Sequence, residues 1–230
     1  MHGLTPLDFR PAAVFFDMDG LLLDSESALL ACWREASQAL ELRVDDGVWL
    51  SMIGLSDAVC GQLLAESVGD THAQALQERC QALYDARVEQ GIPVKPGAFE
   101  LLALLQAHAV PRAVVTSTWR ERARQKLAKA GLLPHVLDVI GGRCVPRVKP
   151  APDPYLLAAE RLGVPPAQCV VLEDSAAGVR AALAAGMTAI QVPDLSHPDA
   201  TIRALGHRIV ASLHDARALL EPALRQHAAL

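Results

Sequence analysis

The sequence predicts an α/β protein with a doubly wound parallel sheet and an all-helical domain inserted after the first strand. Two observations lead to this fold class. First, short apolar runs typical of strands alternate with segments of helical periodicity, which is the order found in βαβ units. Second, residues 26–94 interrupt this alternation, because they contain helical patterns and no convincing strand.

Five apolar runs are predicted to form the strands of the sheet, and each run ends in polar or turn residues. The runs lie at 13–16, 113–115, 136–140, 169–172 and 188–192. Apolar residues recur at helical spacing over 97–109, 119–130, 152–162 and 175–185. Together these elements predict a Rossmann-like core, whose functional crevice lies beyond the carboxyl ends of the strands.

The interruption divides the chain into two predicted domains. Residues 1–25 and 95–230 are expected to form the core, and residues 26–94 an inserted helical cap. The cap segment carries eleven acidic residues against four arginines, and it has no lysine. We expect two linkers, near residues 24–26 and 90–96, and the second has the proline and glycine content of a hinge.

Composition and charge argue against several functional classes. The formal net charge of −5 lacks the basic footprint of a general nucleic-acid binder. No apolar run is long enough to cross a bilayer, and the N-terminus lacks the layout of a signal peptide. Five scattered cysteines without a C-x-x-C pair argue against a disulfide framework or a zinc site, and they predict a cytoplasmic protein. The oligomeric state stays open.

Four short polar clusters follow the predicted strands or lie in the loops between them. They are Asp17-Met18-Asp19-Gly20, Thr116-Ser117, Lys149-Pro150 and Glu173-Asp174-Ser175. Alone, each has an ordinary explanation, since Asp17 or Asp174 could cap a helix and Thr116 could be a turn residue. Because parallel strands present their carboxyl ends at one edge, we expect the four clusters to meet. Paired acids there are costly unless a metal ion or a charged substrate compensates.

In type, spacing and chain order these clusters resemble the motifs of the haloacid dehalogenase-like phosphohydrolases. The resemblance is to the branch similar to β-phosphoglucomutase and small sugar-phosphate phosphatases, and it spans nearly the whole chain. Its elements are a D-x-D-G, a hydroxyl after the second core strand, a lysine before proline, and an E-D-S-x-x-G. The helical insertion between the first and second motifs matches the family's cap.

The resemblance implies a phosphatase that hydrolyses a small phosphate monoester, such as a sugar or polyol phosphate. Asp17 would be the nucleophile and form an aspartyl-phosphate. Mg²⁺ would offset the negative charge, held by Asp17, Asp174, the main-chain carbonyl of Asp19 and Glu173, directly or through water. The Asp19 side chain would transfer protons, for which we expect an environment that raises its pKa.

Other residues are assigned to the substrate. Thr116 and Ser117 would hold the phosphoryl oxygens, and Lys149 would place a positive charge between Asp17 and the phosphate. Selectivity is expected from the cap, with Glu26 and the segment 53–57 as the candidate contacts. Each has an ordinary alternative, because Glu26 could be a helix-start charge and the segment could be only a turn.

Residues also discriminate among the reactions of this family. Asp19 argues against dehalogenation, which needs no proton for the leaving group, and the absence of a cap lysine argues against phosphonate cleavage. A phosphosugar mutase would carry a histidine and an arginine where this chain has Leu29 and Asp57. We therefore prefer hydrolysis, with the mutase and a catalytically inert binding or regulatory relative as alternatives. A receiver module is rejected because its acid pair and phospho-acceptor come in a different chain order.

Overall fold

The computed structural model describes residues 7–52 and 57–226, apart from the side chains of residues 57, 58 and 226. Its described residues form one six-stranded sheet, in which every neighbouring pair is parallel. The strands are β1 Ala13–Phe16, β2 Arg112–Val115, β3 Asp138–Ile140, β4 Cys169–Glu173, β5 Thr188–Gln191 and β6 Arg208–Ile209. Their order, β3-β2-β1-β4-β5-β6, reverses direction at β1 and places the crevice of a doubly wound sheet beside that strand.

The five predicted strands are confirmed, with small shifts at their ends. The third begins at Asp138 rather than at residue 136, and a 3₁₀ turn at residues 133–135 precedes it. Strand β6 was not predicted, since it contains only two residues and is too short to show a periodic pattern.

Helices connect the strands of the core and cover both faces of the sheet. They are α5 Ala98–Ala107, α6 Arg120–Lys129, α7 Asp153–Leu162, α8 Ala176–Ala184, α9 Ala200–Arg203 and α10 Leu213–Gln226. Alternate residues of β1 show the layering, because Val14 and Phe16 belong to one apolar cluster and Ala13 and Phe15 to another. All residues of β1 are buried, as expected for a parallel strand with helices on both sides. The fold class predicted from the sequence is therefore confirmed.

The described residues between β1 and α5 form four further helices. They are α1 Ser25–Ala39, α2 Asp46–Ser51, α3 Asp57–Val68 and α4 Asp70–Gln90. They share a third apolar cluster, in which the rings of Trp33 and Trp49 stack with centroids 5.9 Å apart. The described part of residues 26–94 thus has its own core and no strand, while the exact domain boundaries remain a prediction.

The two chain segments that connect these helices to the core run side by side. Leu23 and Val94 form an antiparallel bridge, and the N–H of Asp24 donates to the carbonyl of Pro93 at 2.8 Å. The N–H of Lys95 donates to the carbonyl of Leu22 at 2.9 Å. The chain therefore leaves and re-enters the core at adjoining positions, next to the carboxyl end of β1.

Two observations concern the membrane and cysteine predictions. None of the described helices has the length and apolar character needed to cross a membrane. The five cysteines all lie in the described part of the chain, and none of them forms a disulfide.

Candidate active site

The carboxyl ends of β1, β2 and β4 bring the predicted site residues to one edge of the sheet. Asp17 directly follows β1, and its N–H donates to the carbonyl of Leu172 in β4 at 3.0 Å. Thr116 follows β2, and its N–H donates to the carbonyl of Ile140 in β3 at 2.9 Å. This pairing extends the sheet beyond the strands and holds the side chains of both residues, which are buried, at the crevice.

Three carboxylates from two strand ends converge at this edge. One oxygen each of Asp17, Glu173 and Asp174 lies within 4.8 Å of the others. Carboxylate oxygens at such separations are the ligand type that a hard divalent cation takes. The residues therefore fit the magnesium site expected from the sequence.

Burial, together with the crowding of negative charge, raises the pKa of two of these acids. Burial raises the pKa of Asp17, with further increases from the charges of Glu173 and Asp19 that Lys149 only partly offsets. Burial also raises the pKa of Asp174 well above its ordinary value, and Asp17 and Glu173 raise it further. A cation among these oxygens would reverse both effects by stabilising the ionised forms.

Lys149 is the positive charge nearest to Asp17. Its Nζ donates to Asp17 Oδ1 at 2.6 Å, to Glu173 Oε1 at 2.5 Å and to the carbonyl oxygen of Val115 at 2.8 Å. Burial would lower the pKa of Lys149, but the carboxylates of Asp17 and Glu173 outweigh it and raise the pKa. The lysine therefore stays charged beside the predicted nucleophile.

Glu173 is fully buried and held by four donors. Besides Lys149, the hydroxyl of Tyr155 donates to Oε1 at 2.7 Å, and the N–H and hydroxyl of Ser175 donate to Oε2 at 3.2 and 3.0 Å. A Cβ added to Gly178 would lie 1.8 Å from the carboxyl carbon of Glu173, so only glycine leaves room for this carboxylate. Glu173 therefore fixes Lys149 in place, and one of its oxygens also lies within 4.8 Å of oxygens of Asp17 and Asp174.

Asp19 has a different set of partners, which the sequence analysis did not foresee. Lys126 forms an ion pair with Oδ1, and the Thr118 hydroxyl donates to Oδ2 at 2.8 Å. Burial would raise the pKa of Asp19, but the charge and hydrogen bond of Lys126, with hydrogen bonds from Thr118 and Ser25, lower it. The expectation of a raised pKa was wrong, because it omitted a buried lysine that is distant in sequence.

Gly20 completes the turn after the first motif. Its φ of +81° is one that side-chain-bearing residues rarely adopt, and an added Cβ would lie 2.4 Å from Asp174 Oδ2. Both its backbone conformation and the close approach of Asp174 therefore require glycine.

The remaining predicted contacts lie around the mouth of the crevice. Glu26 is half-buried in the first turn of α1. Burial raises its pKa to about 7, and the carboxylates of Asp19 and Asp194 add to this effect against Lys126. Ser117 is exposed, whereas the hydroxyl of Thr116 lies 3.5 Å from Asp19 Oδ2. Of the predicted specificity segment, residues 53–56 and the side chain of Asp57 lie outside what the structure describes.

Lys126 and Tyr155 are among the residues that contact the predicted site and were missed. Lys126 has a side chain only 4% exposed and lies on the face of α6 that also buries Ala123 and Leu127. A lysine on an apolar helix face is a signal that could have identified it. Tyr155 lies in the first turn of α7, and its sequence shows nothing that distinguishes it from an ordinary core aromatic.

The edge thus combines buried acids able to hold a cation with a buried lysine and hydroxyl groups. This arrangement is chemically able to hold a divalent cation beside an anionic group. A family model for haloacid dehalogenase-like hydrolases matches residues 11–186, which include all four motifs. The chain belongs to this family.

Named relatives agree with this assignment. Fructose-1-phosphate phosphatase YqaB from Escherichia coli (strain K12) is 34% identical over 186 residues, covering 80% of this chain and 97% of the relative. Hexitol phosphatase A from the same organism is 35% identical over 203 residues, covering 85% and 92%. These relatives confirm that the chain is a phosphatase, and that it resembles the sugar-phosphate branch.

A solved structure gives the same result. It is a haloacid dehalogenase family hydrolase from Deinococcus radiodurans R1 with bound phosphate and sodium, 33% identical to this chain. The superposition has a TM-score of 0.77 and covers 94% of this chain and 97% of that protein.

Proposed function

We propose that this phosphatase hydrolyses a small sugar or polyol phosphate in two steps, through an aspartyl-phosphate at Asp17. The observation that carries the proposal is the position of Asp17, which lies in the three-acid cluster and 2.6 Å from the amine of Lys149. A carboxylate so placed can attack phosphorus once the opposing charges are offset. The two Escherichia coli relatives support the substrate class, because their names specify fructose 1-phosphate and hexitol phosphates.

Asp17, Asp174 and the main-chain carbonyl of Asp19 are the groups proposed to hold Mg²⁺, with Glu173 acting directly or through water. When bound, such a cation would offset the repulsion between the nucleophile and the phosphate. Lys149 would bind the phosphoryl group from the same side as Asp17. Thr116, Ser117 and the main-chain N–H groups beside them would bind its remaining oxygens.

Asp19 is proposed to carry the proton transfers. In the described geometry Lys126 keeps it ionised, which suits the second step, when a base must take a proton from the attacking water. The first step needs its acid form to protonate the leaving oxygen. We infer that Asp19 takes this proton from solvent when its ion pair with Lys126 opens, and that it is ionised again once the proton has passed to the leaving oxygen.

Hydrolysis is preferred over mutase activity on the evidence of the cap. Leu29, at the place where a mutase would carry a histidine, packs against the apolar cluster of α1–α4. A leucine cannot transfer a proton to the phosphate of an intermediate. Glu26 is the described cap residue proposed to contact substrate hydroxyls. The cytoplasmic location and the absence of nucleic-acid or membrane partners remain predictions.

A phosphate-release assay against a panel of phosphorylated sugars and polyols, with Mg²⁺, tests the proposal. We expect turnover of one or more panel members, loss of activity in EDTA and recovery on adding Mg²⁺. Turnover that persists in EDTA would contradict the metal site. A parallel assay for conversion of glucose 1-phosphate into glucose 6-phosphate should show none, and product there would favour the mutase.

A further inference from the structure

A fourth acid lies at the same edge, outside the family motifs. Asp194 follows β5, and two hydrogen bonds connect its segment to the end of β4. The N–H of Val192 donates to the carbonyl of Glu173 at 2.7 Å, and the Gln191 amide donates to the carbonyl of Asp174 at 2.9 Å. The side chain of Asp194 is therefore held beside the three-acid cluster.

The two carboxylate oxygens of Asp194 have unequal surroundings. Oδ1 accepts from Lys95 Nζ at 2.5 Å. Oδ2 is buried, since the side chain is only 6% exposed. Within the described part of the chain it has no hydrogen-bond partner. A buried charged oxygen without a donor is costly, so its position calls for a ligand that can donate.

The neighbours of Oδ2 indicate that ligand. A Cβ placed on Gly20 would lie 3.3 Å from Asp194 Oδ2 and 2.4 Å from Asp174 Oδ2, so both oxygens lie close to this glycine and to each other. Two carboxylates in this arrangement repel one another unless positive charge or a donor lies between them. A hydrated divalent cation held by Asp174 supplies both, because Mg²⁺ keeps several of its waters when it binds to proteins.

We propose that Asp194 is a positioning residue of the metal site, whose Oδ2 accepts a hydrogen bond from the hydration shell of the cation. The inference rests on the proposed function, because it requires the metal site at Asp17 and Asp174. Groups that hold a metal's ligands or waters, rather than the metal itself, commonly change its affinity 10- to 100-fold. Asp194 thus extends the metal site, which already uses the ends of β1 and β4, to the end of β5.

Calorimetric titration of Mg²⁺ into the substrate-free protein tests the inference without measuring activity. Asp194→Asn, which keeps the shape and removes the charge, should weaken Mg²⁺ binding by about 10- to 100-fold. The matched control is Asp199→Asn, an exposed acid in the same loop that caps α9, and it should bind Mg²⁺ like the wild type. The Mg²⁺ concentration for half-maximal phosphate release should rise by the same factor in Asp194→Asn.

Lys95→Met separates this role from a purely structural one. If Asp194 serves only to hold Lys95, then Lys95→Met and Asp194→Asn should weaken Mg²⁺ binding equally. We expect instead that Lys95→Met binds Mg²⁺ at least as tightly as the wild type, because a nearby positive charge is removed. Asp194→Ala is the second variant should the asparagine variant not fold, with the same loss expected.

The outcomes are distinct. If the wild type binds Mg²⁺ and Asp194→Asn binds it equally tightly, this inference is overturned and the proposed metal site stays in place. Equal weakening in Asp194→Asn and Lys95→Met also overturns it. No Mg²⁺ binding by the wild type overturns the metal site and this inference together.

Discussion

At the scale of single residues, the site is a set of charges whose partners come from distant parts of the chain. Lys149 contacts Asp17 and Glu173, and Lys126 contacts Asp19. The two acids of the first motif are therefore paired with different lysines. Lys149 comes from the loop between β3 and α7, and Lys126 comes from α6. This division separates the proposed nucleophile from the proposed proton carrier, although they lie two positions apart in sequence.

The first prediction concerns the nucleophile. Asp17→Asn should abolish turnover, because an amide cannot attack phosphorus. The measurement is phosphate release with Mg²⁺, using Asp199→Asn as the control that should keep its activity. Residual activity above about 1% of the wild type would argue against covalent catalysis by Asp17.

The second prediction concerns Lys126. In Lys126→Met, Asp19 keeps the burial that raises its pKa and loses the charge and hydrogen bond that lower it most. The basic limb of the pH profile of kcat/KM should therefore move to higher pH, because Asp19 would keep the proton that the first step requires up to a higher pH. Lys129→Met, in the same helix but paired with Glu89 at the surface, should leave the limb in place. An unchanged limb in Lys126→Met would mean that Asp19 does not carry the proton.

At the scale of secondary-structure elements, Asp138 joins three of them. It begins β3 and accepts from Arg120 of α6 at 3.0 Å and from Arg161 of α7 at 2.8 Å. Burial would raise the pKa of Asp138, but hydrogen bonds from Arg161, the Val139 N–H and Arg120 outweigh it and lower the pKa below its ordinary 3.8. The ionised carboxylate therefore stabilises the packing of two helices against one edge region of the sheet.

The third prediction follows from this depressed pKa. The stabilisation is fully present above pH 3.8, the ordinary value for the unfolded chain, and is lost as the pH falls through the lower folded-state value. Asp138→Asn should reduce the free energy of unfolding by about 1 kcal/mol near neutral pH. In urea titrations its difference from the wild type should shrink as the pH is lowered below 3.8. The exposed Glu66→Gln is the control, and a difference independent of pH would contradict the assignment.

At the scale of the whole molecule, charge complementarity connects the cap helices to the core. Helix α6 is basic, and α4 presents acids to it. Arg122 pairs with Asp85, and Lys129 pairs with Glu89 at 2.9 Å. Lys126 adds a contact with the ring of Tyr84, whose centroid lies 5.4 Å from Nζ. The same helix therefore contacts the cap and the proposed proton carrier, Asp19.

The fourth prediction tests this connection. Arg122→Asp should lower the free energy of unfolding by about 0.2 to 1 kcal/mol, because partly exposed ion pairs are weak. Adding Asp85→Arg should recover most of that loss, since the swapped charges can pair again. Urea titrations of the wild type, both single variants and the double variant form the cycle. Recovery should be smaller in high salt, which screens such pairs, and no recovery in low salt would show that the pair contributes nothing.

Much of the fold was predictable because its signals are local. Buried parallel strands read as short apolar runs, and helices as apolar residues three and four positions apart, so β1, β2, β4 and β5 were located closely. Strand β6 was missed because two residues carry no pattern. Its place at the sheet edge depends on pairing with β5 rather than on its own sequence.

The convergence of Asp17, Thr116, Lys149 and Asp174 was also predictable, since residues that follow parallel strands must meet at one edge. The surroundings of Asp19 were not, because Lys126 approaches it from a helix more than a hundred positions away. The direction of a pKa depends on the sum of burial and all neighbouring charges, which the first motif alone does not contain.

The sequence by itself determined the order of strands and helices, the place of the helical insertion and the four polar motifs, because each depends on residues that are close together in the chain. Only the tertiary structure decided which lysine faces which carboxylate, that Gly178 must leave room for Glu173, and that Asp194 brings near Asp174 an oxygen with no hydrogen-bond partner among the described residues. These features depend on distances between segments that are far apart in the chain, and such distances exist only after the sheet and its helices have packed.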